Sequence, residues 1–141
     1  LPPYDEVTLT PGTDNIRLLQ LLPGNYDDPI VCYLFQIDSI TLYEYDALSY
    51  VWGSTDGQRV IFVNDWEMAV TQNLEVALRS LRGEEDPKII WVDAICIDQT
   101  SVPEKSSQVG KMGDIYKAAK KVVVFLGPEN QASDTVFDFL E

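Results

Sequence analysis

The stretch Lys88-Ile-Ile-Trp-Val-Asp-Ala-Ile-Cys-Ile-Asp-Gln99 decides the fold of this chain. Its apolar residues predict a strand that is buried on both faces, as in the centre of an α/β sheet. Yet this strand contains Asp93 and ends in Asp98 and Gln99. Open α/β sheets bind ligands beyond the carboxyl ends of their strands. The stretch therefore predicts part of the core together with a candidate site.

Helix and strand patterns alternate on either side of this stretch. After it, Ser101-Val-Pro-Glu104 opens a predicted helix that ends near Lys120, and residues 122–126 form another apolar strand. Before it, Asn73 is predicted to cap a helix that Gly83 ends. A last helix, capped by Ser133, still has an apolar pattern at residue 141, so we expect the chain to be a fragment of a longer protein.

Further strands are predicted upstream from short runs of β-branched, aromatic and other apolar residues. A two-residue turn at Asn64-Asp65 joins two of them into a hairpin. The elements together predict one α/β domain over residues 16–141, after an extended lead-in over 1–15. We expect three layers, with a largely parallel central sheet and antiparallel hairpin additions. The upstream strands are predicted at residues 16–22, 30–37, 45–53, 59–63 and 66–70.

The composition excludes several classes of function. The formal net charge is −13, from 23 acidic against 10 basic residues, which opposes nucleic-acid binding because phosphates need a basic surface. The chain has no histidine, which removes Ser-His-Asp and Cys-His catalysis and the common zinc sites, so no metal site is expected. No run reaches transmembrane length. Cys32 and Cys96 are interpreted as buried thiols of an intracellular protein.

Four polar residues near the central strand are candidates for chemistry, each with a structural alternative. Glu104 is the candidate catalytic carboxylate, although Ser101-Val-Pro-Glu104 also fits a capping box. Asp93 either orients a ligand hydroxyl or holds a positive partner, or it is a structural buried acid that bonds to the backbone or a tyrosine. Asp98 and Gln99 either bind a ligand or form a turn.

The aromatic strand Tyr45-Asp-Ala-Leu-Ser-Tyr-Val-Trp-Gly53 has two interpretations. Its side chains either pack in the core, or they place Ser49, Tyr50, Trp52 and Gly53 at the mouth of the sheet, where an aromatic ring stacks on a nucleobase. Five lysines within seventeen positions allow a similar choice between a solvated helix face and a site for an anionic ligand or an acidic partner. These are the lysines at positions 105, 111, 117, 120 and 121.

Several ordered segments resemble the fungal heterokaryon incompatibility (HET) domain, and the resemblance covers about residues 16–130. It adds Gln108 to the candidate ligand-binding residues. The matching segments are Ile16-Arg-Leu-Leu with Pro23-Gly24, Tyr45 to Gly53, Val70-Thr-Gln-Asn-Leu-Glu-Val-Ala-Leu78, Ile90 to Gln99, Glu104-Lys-Ser-Ser-Gln-Val109, Met112, Ile115-Tyr116 and Val122 to Gly127.

This resemblance implies a cytoplasmic fungal module that triggers programmed cell death when incompatible individuals fuse, a form of innate immunity. It implies self-association, contact with the rest of a longer polypeptide and with an incompatibility partner, and a distant relation to TIR domains with their flavodoxin-like fold. Some TIR domains cleave NAD⁺ with a glutamate on a helix after a strand resembling residues 122–126. By that position Asp138 or Glu141 would be the nearest acids, as alternatives to Glu104.

Three hypotheses for the activity follow. In the first, the domain signals through self-association. In the second, it is an NAD⁺ glycohydrolase that needs no cofactor: Glu104 stabilises an oxocarbenium-like transition state, Asp93 and Asp98 position ribose hydroxyls, and Tyr50 or Trp52 stacks on a ring. In the third, it is a non-catalytic interaction module or nucleotide sensor.

Overall fold

The computed structural model of the chain describes residues 2–127 and the backbone of residues 135–137. In this part of the chain, eight strands form one sheet. The strands are β1 (Ile16–Leu21), β2 (Val31–Ile37), β3 (Asp46–Tyr50), β4 (Arg59–Val63), β5 (Trp66–Val70), β6 (Lys88–Trp91), β7 (Lys121–Phe125) and β8 (Thr135–Phe137). The helices are α1 (Gln72–Leu81), α2 (Asp93–Cys96) and α3 (Val102–Ala118), after a 3₁₀ turn at Tyr4–Glu6.

The strand order across the sheet is β5-β4-β2-β1-β6-β3-β7-β8. Strands β6, β3 and β7 are parallel neighbours, and β2 is parallel to β4. The pairs β1 with β2, β1 with β6, β4 with β5, and β7 with β8 are antiparallel. The sheet is therefore mixed, and the predicted α/β class with antiparallel additions is confirmed.

Helices cover both faces of the sheet at β3. Consecutive strand residues point to opposite faces, and here Ser49 interacts with Tyr116 of α3 whereas Tyr50 interacts with Thr71 at the start of α1. Tyr45, just before β3, reaches α3 as well, since its hydroxyl donates to the Ile115 carbonyl at 2.6 Å. The carboxyl end of β3 consequently lies between the two long helices.

The central stretch differs from the prediction beyond Trp91, because the strand ends there and α2 follows. The Cys96 N–H donates to the Val92 carbonyl at 2.8 Å, which closes one helical turn. Gln99 stabilises the turn, since its Nε2 donates to the Asp93 carbonyl at 2.9 Å. An apolar run of this length carries no periodicity that separates a strand from a single buried helical turn.

Two other predicted elements also differ. The N-cap of α1 is Thr71, whose Oγ1 accepts the Leu74 N–H at 3.2 Å, so the predicted cap Asn73 lies inside the helix. At the end of the chain, strand β8 pairs with β7 where a helix was predicted. The predicted cap Ser133 and the alternative catalytic acids Asp138 and Glu141 lie outside the described residues.

Candidate functional site

Two aromatic rings mark the carboxyl end of β3. The rings of Tyr50 and Trp52 are parallel within 4°, with centroids 6.3 Å apart. Trp52 is 50% exposed, a large fraction for a tryptophan that directly follows a central strand. The segment stays attached to the sheet because the Val51 N–H donates to the Phe125 carbonyl at 3.1 Å. Of the residues in the aromatic strand, Tyr45 is buried, whereas Tyr50 and Trp52 lie at the carboxyl end of β3 with Trp52 half exposed.

Gly53 sets the direction of the chain after Trp52. Its φ is +68°, a conformation that favours glycine, and a Cβ at this position would overlap the side-chain amide of Asn73. The same amide donates to the Val51 carbonyl at 2.9 Å. Asn73, predicted to be a helix cap, instead fixes the loop that carries Trp52.

A cavity of about 190 Å³, here called the aromatic cleft, opens beside these rings. Met68 of β5 and Leu74 of α1 supply apolar walls, and Gln58 and Gln99 supply amide groups. Ala94 of α2 also contributes to the lining. The cleft therefore combines stacking surfaces with neutral hydrogen-bonding groups, the composition of sites for small organic ligands.

Asp93 precedes Ala94, which lines the aromatic cleft, and its charge acts on the Tyr50 hydroxyl. Burial raises the pKa of the Asp93 carboxyl, an effect that the backbone N–H groups of Asp93 and Ala94 partly offset. In the described part of the chain this carboxyl forms no ion pair. Burial together with the charge of Asp93 raises the pKa of Tyr50 to about 12 and also raises that of Tyr116. Asp93 is thus a half-buried acid whose charge acts on two tyrosines, and within residues 2–127 it has no ion-pair partner.

Glu104 has the opposite environment, in what we call the ion-pair cluster. Its two carboxylate oxygens accept hydrogen bonds from the Arg17 guanidinium at 2.6 and 2.9 Å. Arg17 is only 1% exposed, and it also donates to the carbonyls of Val7 at 2.7 Å and Cys96 at 3.1 Å. The Tyr4 ring lies 4.9 Å from the guanidinium carbon. The charge of Glu104 is therefore neutralised by a bidentate pair.

The predicted capping box at α3 is half formed. Ser101 Oγ accepts the Glu104 N–H at 3.4 Å, as predicted. The Glu104 carboxylate, however, accepts the N–H of Asp98 at 2.7 Å and does not return to Ser101. Asp98 itself forms a turn, because its Oδ1 accepts from the Thr100 N–H at 3.1 Å and hydroxyl at 2.7 Å. The turn-forming alternative thus describes the Asp98 side chain.

Gln108 lies on the ion-pair cluster side, away from the aromatic cleft. It is 2% exposed, and its Nε2 donates to the Asn15 carbonyl at 3.2 Å. Gln108 and Glu104 line a separate cavity of about 330 Å³ between α3 and residues 8–12. The lysine group extends along the same helix, where Lys111 donates to the Thr13 carbonyl at 2.6 Å. Lys105, Lys117 and Lys120 are exposed.

The sequence-predicted site residues therefore divide into two groups. The first group lies around the carboxyl end of β3 and consists of Ser49, Tyr50, Trp52, Gly53, Asp93 and Gln99. The second group belongs to the ion-pair cluster or to the cavity beside it and consists of Asp98, Glu104 and Gln108. Sequence reasoning missed Arg17, Met68 and Thr71. Arg17 had a signal, since it is a charged residue inside the otherwise apolar run 16–19 and so needed a buried partner.

Neither a metal-binding group of side chains nor a membrane-spanning helix is present among the described residues. Among them, no group of three histidine, cysteine, aspartate or glutamate side chains is arranged to hold a metal ion. Nor does any helix within residues 2–127 have both the length and the apolar character that crossing a bilayer requires.

Comparison with known proteins gives matches in sequence but none in solved structure. The sequence model of the family described as heterokaryon incompatibility protein (HET) matches residues 45–141. The chain is also 38% identical over 151 aligned residues to heterokaryon incompatibility protein 6, OR allele, of Neurospora crassa. That alignment covers 97% of the chain and 22% of the relative, so the chain spans about a fifth of the relative's length. No solved structure matches significantly.

Proposed function

The chain belongs to the heterokaryon incompatibility (HET) family, and we propose that it is the death-signalling domain of a fungal incompatibility protein and acts through self-association. The family match over residues 45–141 carries this proposal. The matched region contains the aromatic cleft, Asp93 and Glu104, so the candidate site lies within the family's own segment. The relative's name supports an incompatibility role.

The proposed relation to TIR and flavodoxin-like folds rests on topology. Strands β6, β3 and β7 are parallel neighbours, and helices cover both faces at β3. Ligand sites of such sheets lie beyond the carboxyl ends of the strands, which is where the aromatic cleft lies. The cleft is consequently the part of the surface that we assign to signalling.

Inducible expression of this chain in a filamentous fungus tests the proposal. We expect loss of viable counts on induction of the wild-type chain and survival with Trp52→Ala, which removes the exposed ring of the cleft. Trp66→Ala is the matched control, because Trp66 is also half exposed but bonds to Glu6 outside the cleft. Survival with the wild-type chain at equal protein levels, or loss of killing with both variants, would contradict the proposal.

Self-association has its own measurement. The chain has a net charge of −13, so the exposed lysines of α3 in one copy can pair with the acidic surface of another copy. Salt screens such pairs, so contacts between copies would weaken as the salt concentration rises. Sedimentation of concentrated protein should show oligomers that dissociate with Lys117→Glu and at high salt. Monomers at every protein concentration would contradict the proposed self-association.

A second candidate function, NAD⁺ glycohydrolysis, is favoured by the Asp93 carboxyl beside an aromatic cleft. In that reaction water replaces nicotinamide at the ribose carbon, and a carboxylate stabilises the positive charge that develops there. Glu104 remains the carboxylate predicted from sequence, but its oxygens are already bonded to Arg17, whereas Asp93 forms no such pair. The geometry therefore favours Asp93 for this role.

Nicotinamide release, followed by chromatography, separates these carboxylates. With NAD⁺ and concentrated protein, we expect release by the wild-type chain and at least a hundredfold slower release by Asp93→Asn. Glu104→Gln is compared only after its folded fraction has been measured, since it leaves Arg17 without its partner. No release from wild-type protein would reject the enzyme and leave the signalling proposal in place.

A further inference from the structure

We infer that the aromatic cleft binds the ring of a planar heterocycle that carries no negative charge, and that it binds a cationic ring more tightly than a neutral one. The inference rests on the proposed function and names the class of ligand for the same site. It follows from the lining, the charge, the size and the rigidity of the cleft.

The lining supplies surfaces for a ring and, within the described residues, no cationic side chain to pair with an anion. Tyr50 and Trp52 present parallel aromatic faces, and the Met68 thioether can contact the edge or face of a ring. Gln58 offers an amide donor and acceptor to the edge of a heterocycle, and Gln99 offers its side-chain carbonyl, since its Nε2 already donates to the Asp93 carbonyl. No side chain that lines the cleft within the described residues is charged.

The charge around the cleft favours a cation. Asp93 lies close enough to Tyr50 to raise the pKa of its hydroxyl, and the whole chain carries −13. Aromatic faces attract cations through their quadrupole, most strongly for tryptophan. Arg59, on the neighbouring β4, is occupied by the Gly57 carbonyl at 2.8 Å and by Glu75 at 3.6 Å. A phosphate or carboxylate in the cleft would therefore meet repulsion without a paired base.

The size of the cleft restricts it to one ring system. A volume of about 190 Å³ corresponds to roughly six water molecules. This is below the range of about 300–1,000 Å³ that holds a drug-sized ligand. Any larger molecule would place only its ring inside, with its charged remainder in solvent.

Three consecutive residues at the start of α1 hold the cleft in shape. Thr71 bonds to Tyr50, Gln72 Nε2 donates to the Asp56 carbonyl at 3.3 Å, and Asn73 Nδ2 donates to the Val51 carbonyl at 2.9 Å. The loop that bears Trp52 is thus fixed to a helix before any ligand arrives. Such preorganisation reduces the entropic cost of binding.

Three quinoline probes of the same ring size test the inference at pH 8. These are the cation 1-methylquinolinium, neutral quinoline and the anion quinoline-2-carboxylate. By calorimetry we expect affinity in that order, with at least a tenfold difference between cation and anion. In ¹⁵N-labelled protein the cation should shift the indole signal of Trp52 and leave those of Trp66 and Trp91 unmoved.

Variants provide the controls. Trp52→Ala should weaken binding of the cation at least tenfold, Trp66→Ala should not change it, and Asp93→Asn should narrow the preference for cation over quinoline. Equal or tighter binding of the anion, no binding of any probe at millimolar concentration, or equal weakening by both tryptophan variants would overturn the inference.

The result is distinguishable from a failure of the proposed function. Ordered probe binding by a chain that does not kill cells would support the ligand class and reject the signalling role. Killing by a chain that binds no probe would overturn the ligand class and leave the signalling role standing.

Discussion

Two carboxylates close in sequence lie in opposite environments, Asp93 beside the aromatic cleft and Glu104 in the ion-pair cluster. Asp93 is half buried, forms no ion pair within the described residues, and has a raised pKa. Glu104 receives two hydrogen bonds from Arg17 and one from the Asp98 N–H. A fully paired carboxylate holds three segments together, whereas an unpaired one retains the capacity to act on a ligand. Two acids from matching segments of the same family can therefore have opposite environments, so their hydrogen bonds and charge partners have to be compared before either is given a role.

We expect the largest change in the free energy of unfolding when the buried cation Arg17 is removed. Arg17→Ala leaves Glu104 and two carbonyls without their partner, so the free energy of unfolding should fall by about 3–5 kcal/mol. Arg59→Ala is the matched control, because its side chain is 47% exposed and its ion pair with Glu75 is long, at 3.6 Å. That control should cost about 0–1 kcal/mol. Urea denaturation measures both, and equal losses would show that the cluster is not structural.

A smaller loss of stability is expected from a substitution at the rim of the aromatic cleft. Gly53→Ala forces a Cβ into a left-handed conformation and against the Asn73 amide, and should cost about 1–2 kcal/mol. The same change at Gly113, where a Cβ meets nothing within 4 Å, should stabilise α3 by about 1 kcal/mol. Thermal melting of both variants checks the opposite signs. A neutral Gly53→Ala would mean that the loop is not held as described.

The environment of Asp93 is tested by the pH dependence of the stability of Asp93→Asn. Because the folded-state pKa of Asp93 is raised, its ionised form is disfavoured in the fold, and stability is lost as the pH rises through that pKa. The asparagine variant should therefore be more stable than wild type at pH 7 and equal to it at about pH 3, below the ordinary aspartate pKa. Urea denaturation at both pH values measures the difference.

The control for that experiment removes a charge elsewhere. Asp114→Asn, on the exposed surface of α3, makes the same change in net charge without removing a half-buried acid. Its stability relative to wild type should not reproduce the gain at pH 7. If both variants gained equally, the effect would come from the overall charge of −13 and not from the environment of Asp93.

The smallest expected effect on stability is that of Trp52→Ala. Since the side chain is half exposed, its loss should change the free energy of unfolding by only about 0.5 kcal/mol, as for Trp66→Ala. Denaturation curves for the two variants should nearly coincide, although we expect only Trp52→Ala to weaken binding of the cationic probe. A large loss with Trp52→Ala alone would make the ring a structural residue.

Local patterns allowed most of the fold to be predicted. Strands β4 and β5 have the predicted bounds, β1 and β2 differ from prediction by one residue at one end, and β7 is shifted by one residue at both ends. Helix α2 was missed because one turn inside an apolar run leaves no periodic signal. The order of the strands across the sheet was not predictable in detail, because it depends on contacts between distant parts of the chain.

The candidate site was predictable only in part, for the same reason. Tyr50 ends β3 and Trp52 lies two residues later, so local sequence allowed a position at the carboxyl end of the strand, although core packing was the other open interpretation. The pair between Arg17 and Glu104 joins residues 87 positions apart, and a sequence pattern gives no measure of that contact. The capping box at Ser101 identified a structural alternative for Glu104, but it did not identify the partner.

The most direct test of the separate roles of the two carboxylates is the free energy of unfolding of Glu104→Gln beside that of Asp93→Asn at pH 7. We expect Glu104→Gln to lose about 3 kcal/mol or more, because it leaves the buried Arg17 charge uncompensated, and Asp93→Asn to lose none. A Glu104→Gln protein as stable as wild type would contradict this account and make Glu104 the residue to pursue for function.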